Sequence, residues 1–397
     1  MPAQGLVSAR ATSAGRASFG DDKGVGMKET CDVIVLGSGA AGLTAALVAS
    51  AAGLKVGLYE KSDEIGGTTA WSGGQVWIPN NSKQTSVGVE DSEAEAFTYM
   101  MSLSRGLLDS AIVKQYLSVG PRVIDYLDLE AGIGFQVVED YPDYHPNNPG
   151  GKPGGGRTLE VPLFDFPQLG DWAGKVKVAP YLPAHLELKE TPLGAAVPQI
   201  PTDDEIARRK AANQRGMGQA LVGRLLEANL RRGVEIFMAH RGTELIEEDG
   251  RIAGVVFDTS DGPVSIGARR GVVLATGGFE WNEELKRTYL RGPLTLPVTP
   301  QTNEGDGLLM AMKVGADLQN MREAWWSPVA ELPEGVNPIN RVMINADRTR
   351  PHSIMVNRQG KRFTNEAVSY NAIVGEVKTP EGQPIGDRQA HGRLHSG

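Results

Sequence analysis

Cysteine is nearly absent. A single one, Cys31, stands among 397 residues, which excludes an internal disulfide framework and fits a reducing cytosol. Because Cys31 opens an apolar stretch, it is expected to be a small buried side chain and not a nucleophile. Positive charge is also short: 40 Lys and Arg face 48 Asp and Glu, for a formal net charge of −8. A nucleic-acid partner, which needs clustered cations against its phosphates, is therefore not expected. Long apolar runs are missing too. A bilayer span needs roughly eighteen apolar residues, and the best stretch, 40–54, is interrupted by Gly42, Thr44, Ser50 and Gly53. The sequence thus predicts a soluble cytoplasmic protein with no integral membrane segment, and no metal site is expected.

What the chain has in excess is glycine, 50 residues, within an otherwise ordinary 40% hydrophobic and 22% charged composition. The glycines cluster in short motifs without a period, as where backbone turns tightly beside a ligand. The length suggests two domains. Residues 1–28 are expected to be a disordered leader, rich in Ala, Ser and Gly but without the apolar core of a secretory signal. Met27 is a candidate start.

The first ordered unit reads as a strand over 31–36, a turn over 37–39, a helix over 41–52 and a strand over 55–60, a βαβ unit. Ser92 and Glu95 form a capping box ahead of a helix to about 104, and Asp109 caps a second helix reaching about 130. Between 142 and 156 nine of fifteen residues are Pro or Gly, and the irregular stretch 142–201 is expected to be an insertion. Helical periodicity returns over 203–232. Strands follow over 234–237, 243–248 and 251–257, the last two joined as a hairpin through Asp249-Gly250. A further strand over 271–275 runs into a second glycine cluster.

Gly37-Ser38-Gly39-Ala40-Ala41-Gly42 fits the dinucleotide pattern G-x-G-x-x-G. By itself that is a weak signal, but here it follows an apolar strand, opens a helix and precedes Glu60 at the end of the next strand. Gly37 allows the turn, Gly39 lets backbone N–H groups approach a pyrophosphate, and Gly42 lets helix and strand pack closely. Ser38 and Ala41 are expected to hold the cofactor with the glycines of the turn, Glu60 is expected to accept from ribose hydroxyls, and Lys61 beside it is expected to join in binding the cofactor. The polar run Gly66-Gly67-Thr68-Thr69-Ala70-Trp71-Ser72-Gly73-Gly74 has little reason to exist in a plain NAD domain. It suits a flavin, with Gly67, Gly73 and Gly74 allowing close approach and Thr68, Thr69 and Ser72 offering hydroxyls. Ala275-Thr276-Gly277-Gly278-Phe279 is a second close approach to the cofactor, so FAD is the expected dinucleotide. Asn303-Glu304-Gly305-Asp306-Gly307 reads equally as a third approach or as a helix-capping turn.

These motifs, with Trp77-Ile78-Pro79-Asn80-Asn81, resemble the fumarate reductase and 3-ketosteroid dehydrogenase flavoprotein family from about 29 to 372. The resemblance implies an α/β fold in which a Rossmann-like FAD-binding domain, 29–280, is interrupted by an α+β substrate-binding cap domain, 281–372. Within the family the ketosteroid branch is favoured. Where fumarate reductases present a proton-delivering arginine after a segment like Gly360-Lys361-Arg362-Phe363-Thr364-Asn365-Glu366, this chain has Tyr370. The stretch Tyr141-Pro142-Asp143-Tyr144-His145-Pro146, with Gly156-Arg157 beyond it, is similar to one that ketosteroid dehydrogenases place beside the steroid. The implied reaction is 1,2-dehydrogenation of a 3-ketosteroid, an apolar ketone: Tyr370 takes a proton beside the C3 ketone while the neighbouring carbon gives hydride to flavin. An electron acceptor then reoxidises the flavin. Tyr370 and Tyr144 are carried as the catalytic pair, since a phenol with reference pKa near 10 needs about three units of depression to act at neutral pH, and Tyr144 can share the charge. Residues 373–397 diverge from the family, which implies the loss of a closing FAD segment and of donors to the ketone oxygen. The alternatives are a fumarate-reductase-like enzyme acting on an unsaturated carboxylate, or a truncated, inactive FAD-binding fragment.

Overall fold

Alternation along one strand divides the core in two. The computed structural model describes residues 29–373 apart from Ala196, Pro293 and Arg358, so the expected leader, Met27 and the tail beyond Ile373 lie outside the described residues. In β1 (Glu29–Leu36) Val33 and Val35 face one side of the sheet while Ile34 and Leu36 face the other, the period of two that a pleated strand imposes. The first side meets α1 (Ala40–Ala51), whose Leu43, Ala46 and Leu47 fall at helical spacing and are fully buried. Each such aliphatic side chain contributes about 1.5–3 kcal/mol by leaving water. The second side carries Tyr59, stacked between Phe237 at 4.7 Å and Phe257 at 4.3 Å between centroids. Cys31 lies in this second cluster, 3% exposed, with burial pushing its thiol pKa up.

The main sheet takes β2 (Val56–Tyr59), β8 (Glu235–Phe237), β9 (Arg241–Glu248), β10 (Arg251–Asp258) and β11 (Val264–Leu274) in the order β8-β2-β1-β11-β10-β9. Strands β8, β2, β1 and β11 are parallel, and β10 and β9 complete an antiparallel meander. The β9–β10 turn falls at Asp249-Gly250, both with positive φ, 50° and 74°, as a two-residue hairpin of this hand requires. Leu36 pairs with Tyr59 on one side and Leu274 on the other. The residues that follow, Gly37, Glu60 and Ala275, therefore emerge together at the carboxyl edge of the parallel strands, where open α/β sheets place their ligands.

The long stretch 142–201, expected as an irregular insertion, contains short packed elements. It supplies β5 (Gly155–Glu160), buried throughout and central to a small sheet with β3 (Val76–Trp77) and β4 (Gln136–Glu139). Leu159, Val161, Phe164, Phe166, Leu169 and Val176 from the same stretch belong to the main core beside α1. Proline and glycine here set the direction of short segments that are packed, not loose. The helix expected over 203–232 is broken in two, α5 (Asp203–Ala211) and α6 (Met217–Arg231). Asn213 turns left-handed at φ 49°, and Gln214–Arg215 form β7 against β6 (Phe164–Asp165).

Around this frame α2 (Gly67–Ala70) is one turn of helix in the glycine run, while α3 (Glu93–Leu103) and α4 (Ser110–Ala131) pack on each other. Ser92 Oγ accepts from Glu95 N at 3.2 Å as expected, but the return bond of a capping box is displaced, since Ser92 N donates to Asp91 at 2.9 Å. Asp109 caps α4 through Ala111 N at 2.7 Å. Beyond α7 (Glu283–Tyr289), α8 (Asp306–Lys313) returns to the sheet and buries Met310 in the second core cluster. The hairpin β12 (Val329–Glu331) and β13 (Arg341–Met343) follows. Among the described residues no helix is long and apolar enough to cross a membrane, and no group of three or more His, Cys, Asp or Glu could hold a metal ion.

Candidate active site

The first glycine turn is closed by its own neighbours. Gly37 N donates to Tyr59 O at 2.8 Å and Ala275 N to Leu36 O at 2.8 Å. At φ 101°, a side chain on Gly37 would run into Ala275 O, and one on Gly42 into Gly37 O, so both positions are glycine because backbone meets backbone. Gly39 differs. A Cβ there would meet only Thr69 Oγ1 at 3.5 Å and Gly66 O at 3.9 Å, leaving open space at the N-terminus of α1. Ala40 N is held by Thr69 Oγ1 at 3.1 Å, and Ala41 opens the helix behind it. Gly67 likewise has nothing within 4 Å of where its Cβ would stand.

Glu60 is 8% exposed and already braces the turn. Its Oε2 accepts from Ser38 N at 3.0 Å and Ser38 Oγ at 2.6 Å, and its Oε1 from Ser62 N at 2.9 Å. Gly66 N then donates to Ser38 Oγ at 3.0 Å, so Ser38 ties the first glycine turn to the second. Lys61 turns its charge to Glu304 at 2.9 Å and Asp306 at 2.6 Å, where Arg241 also pairs with Asp306 at 2.6 Å. It thus staples the end of β2 to the 303–307 turn. Thr68 Oγ1 accepts from Asn303 Nδ2 at 2.8 Å, and the same amide reaches Glu280 at 2.7 Å. Gly307 passes so close to Thr276 Oγ1 that a Cβ would overlap it, and a Cβ on Gly277 would sit 2.9 Å from Asn303 Oδ1. All four glycine-rich segments therefore converge. Of the two readings of the 303–307 turn, the helix-capping one is seen, since it starts α8, and the turn also braces the cradle through Asn303 and the Lys61 ion pairs.

Ser72 Oγ donates to Thr69 O at 2.8 Å and accepts from Gly74 N at 3.1 Å. Gly73 and Gly74 are tight against protein, Leu188 for the first and Met217-Gly218 for the second. Just beyond, Gln75 Nε2 is buried without an acceptor among the described residues. A buried donor left unpaired is costly, so it suits a site that a ligand with acceptor atoms completes. The open space at Gly39, beside the N-terminus of α1, and this unpaired donor fit a pyrophosphate-linked flavin.

The strand after Gln75 leads to the second part of the site. Trp77 Nε1 donates to Asp143 Oδ1 at 2.7 Å, and Asp143 Oδ2 accepts from Arg157 at 2.8 Å. Arg157 is fully buried on β5 between the rings of Trp77 and Tyr99 and also grips Asp91 at 2.7 Å. This charged knot fixes the residue next to Tyr144. The Tyr144 and Tyr370 hydroxyls stand 2.9 Å apart across 226 positions of sequence. Their rings are 5.2 Å apart and nearly edge-on at 70°. Trp325 Nε1 donates to the Tyr370 oxygen at 2.6 Å. Burial, with Tyr141 and Tyr370 nearby, pushes the Tyr144 phenol far above its ordinary value. Tyr370 is also raised by burial, against which the hydrogen bonds from Tyr144 and Trp325 pull downward. On balance Tyr370 stays above the ordinary phenol value, Tyr141 adding to burial, so the expected depression is not present; its hydrogen bonds from Tyr144 and Trp325 are what favour ionisation.

Sequence reasoning missed Trp325, the bracing amide of Asn303, Gln75 and the ion knot around Arg157. The Trp325-Trp326 doublet, in a chain with six tryptophans, is the one signal that could have drawn notice to the first.

A family model described as FAD binding domain matches residues 32–391, past residue 372, where the motif resemblance stops. The 4-oxocyclohexanecarboxylate 2-dehydrogenase of Sinomonas cyclohexanicum is 38% identical over 356 residues, covering 87% of this chain and 60% of the relative. A 3-oxosteroid 1-dehydrogenase of Mycobacterium tuberculosis is 37% identical over 360 residues, covering 85% and 63%. Among solved structures, the 3-ketosteroid Δ1-dehydrogenase of Sterolibacterium denitrificans, in complex with 1,4-androstadiene-3,17-dione, superposes with a TM-score of 0.77 at 35% identity. It covers 86% of this chain and 64% of that one. The chain spans less than two thirds of the length of each.

Proposed function

Because the chain belongs to the FAD-binding domain family, we propose that it binds FAD in the glycine cradle and desaturates the C1–C2 bond of a 3-ketosteroid. The observation that carries this reading is the Tyr144–Tyr370 hydroxyl pair, 2.9 Å apart. Bound FAD supplies a hydride acceptor, and residues 37–42, Glu60, Thr68, Thr69 and 275–277 are the ones to hold it. Removing a proton beside a ketone needs a base whose charge is tolerated without water, and a phenol backed by a second phenol offers that. Tyr370 takes the proton. Tyr144, held protonated by its burial, donates to the Tyr370 oxygen while that oxygen is a phenolate, before the substrate's proton reaches it, and keeps it aimed. Arg157, through Asp143, holds Tyr144 in place.

A neutral phenol pair suits an uncharged ring ketone, whereas a dicarboxylate such as fumarate calls for a cation. Support for the steroid comes from the relatives named above. Support for a smaller ring comes from the 38% identical relative named for 4-oxocyclohexanecarboxylate, so the test offers both ketones and fumarate to the flavin-loaded protein with an electron-accepting dye. The 1,2-unsaturated steroid is the expected product. Tyr370→Phe should lower turnover by about 10²–10⁴-fold, as loss of a general base does, with flavin content unchanged. Reduction of fumarate, or full turnover by Tyr370→Phe, would sink the reading, and turnover of the keto acid alone would replace the steroid by the smaller ring.

A further inference from the structure

Two tryptophans stand side by side and do different things. Trp326 is 7% exposed and packs as a core residue, with the Arg291 guanidinium 5.7 Å from its ring. Trp325 is 79% exposed, so burial does not explain it, and its hydrogen bond is to the oxygen of Tyr370, at 2.6 Å. An indole N–H can only donate. The Tyr370 oxygen is therefore an acceptor on that side in every protonation state, which leaves its own proton to be shared with Tyr144 or given up.

Resting on the reading of Tyr370 as the base, we propose that Trp325 is a further functional residue: its indole N–H, opposite Tyr144, is the second donor that holds the Tyr370 phenolate. In the step it serves, one C–H bond beside the ketone breaks. The proton ends on the Tyr370 oxygen and the electron pair remains with the substrate as its enolate. Before that step the phenolate accepts from two donors, Tyr144 and Trp325, each strengthened by the charge it faces. The groups around the phenol are otherwise neutral: Tyr144 and Tyr141 from the 141–146 segment and Trp325 from the segment before β12. Among the described residues no lysine, arginine or carboxylate is among the groups that set its ionisation, so a single lost donor should be measurable.

The experiment is a pH titration of the full chain carrying tyrosine labelled with carbon-13 at Cζ, read by NMR, with the Tyr370 signal identified by its loss in Tyr370→Phe. Trp325→Phe keeps an aromatic ring and removes the N–H. It should raise the Tyr370 midpoint by about one pH unit, a tenfold loss of phenolate at a given pH, or about 1.4 kcal/mol. The acid limb of the kcat/KM profile should move up by the same amount while flavin content stays constant. Trp326→Phe, the control, should move neither. An unchanged midpoint in Trp325→Phe overturns the inference, as does an equal shift in Trp326→Phe, which would assign the effect to packing. Full turnover by Tyr370→Phe would instead remove the base reading beneath it, whatever Trp325 does.

Discussion

A single methyl group tells the glycines of the first turn apart. At Gly37 and Gly42 an added Cβ would overlap a backbone oxygen, whereas at Gly39 it would meet only Thr69 Oγ1 at 3.5 Å. The three substitutions to alanine should therefore separate by type of failure. Gly39→Ala is expected to leave the melting temperature of the flavin-free protein nearly unchanged and to cut flavin binding, because its methyl would enter the open space proposed for the pyrophosphate. Gly37→Ala and Gly42→Ala should lower the melting temperature of the flavin-free protein itself, since backbone has to move. Thermal unfolding with and without added FAD checks this, and a Gly39→Ala protein that keeps its full flavin affinity would move the pyrophosphate elsewhere. Glu60 is a composite case. Three of its hydrogen bonds are spent on Ser38 and Ser62, so its loss would disturb the turn as well as any ribose contact.

At the scale of elements, β5 matters for a charge as well as for its apolar residues. Arg157 and its partners Asp91 and Asp143 are all shielded from water, and such a group is costly to break because the remaining charge is stranded. Arg157→Leu should destabilise the fold by about 3–5 kcal/mol in urea unfolding. Asp143→Asn, which keeps the acceptor for Trp77, should cost less. The acid response follows from Asp91. Burial raises its pKa, but the hydrogen bonds from Arg157 and Asn80 outweigh burial and leave it below the ordinary 3.8. Its contribution to stability is thus complete above 3.8 and drains as the pH falls below that value through the lowered one. Asp91→Asn should make stability less steeply dependent on pH in that acid range. An equally steep curve would place the acid sensitivity in other carboxylates.

Across the whole molecule, the segment beyond β11 is tied to the glycine cradle through an amide as well as through the Lys61 ion pairs. Asn303 Nδ2 bridges Thr68 at 2.8 Å and Glu280 at 2.7 Å, while its backbone oxygen accepts from Trp281 at 3.0 Å. Asn303→Ala removes the donor to the exposed Thr68 hydroxyl and the half-buried Glu280 carboxylate, a loss of about 0.5–1.5 kcal/mol. Because Thr68 lies in the cradle, weaker flavin retention should accompany it. Calorimetry and flavin release on dilution measure the two effects, and a variant that loses stability but holds flavin as tightly as the parent would make Asn303 a packing residue only.

The βαβ unit, the dinucleotide turn and the hairpin at Asp249-Gly250 were legible in the sequence because each rests on local chemistry: β-branched runs, glycines at fixed spacing, a two-residue turn. So was the pairing of Tyr144 with Tyr370, but only through family likeness, as no local rule joins residues 226 positions apart. The burial of part of the Pro- and Gly-rich stretch was not legible, since composition reports turns and is silent on burial: β5 is enclosed on both faces because other elements cover it. The long helix over 203–232 was overruled by a pairing of Gln214–Arg215 with a strand fifty residues earlier. By itself, then, the sequence determined the cradle and its cofactor, through motifs whose parts are neighbours along the chain. Only the tertiary structure decided that Lys61 staples the 303–307 turn, that Arg157 holds the Tyr144 segment and that Trp325 donates to Tyr370, because each of those bonds joins charges or hydroxyls that only folding brings together.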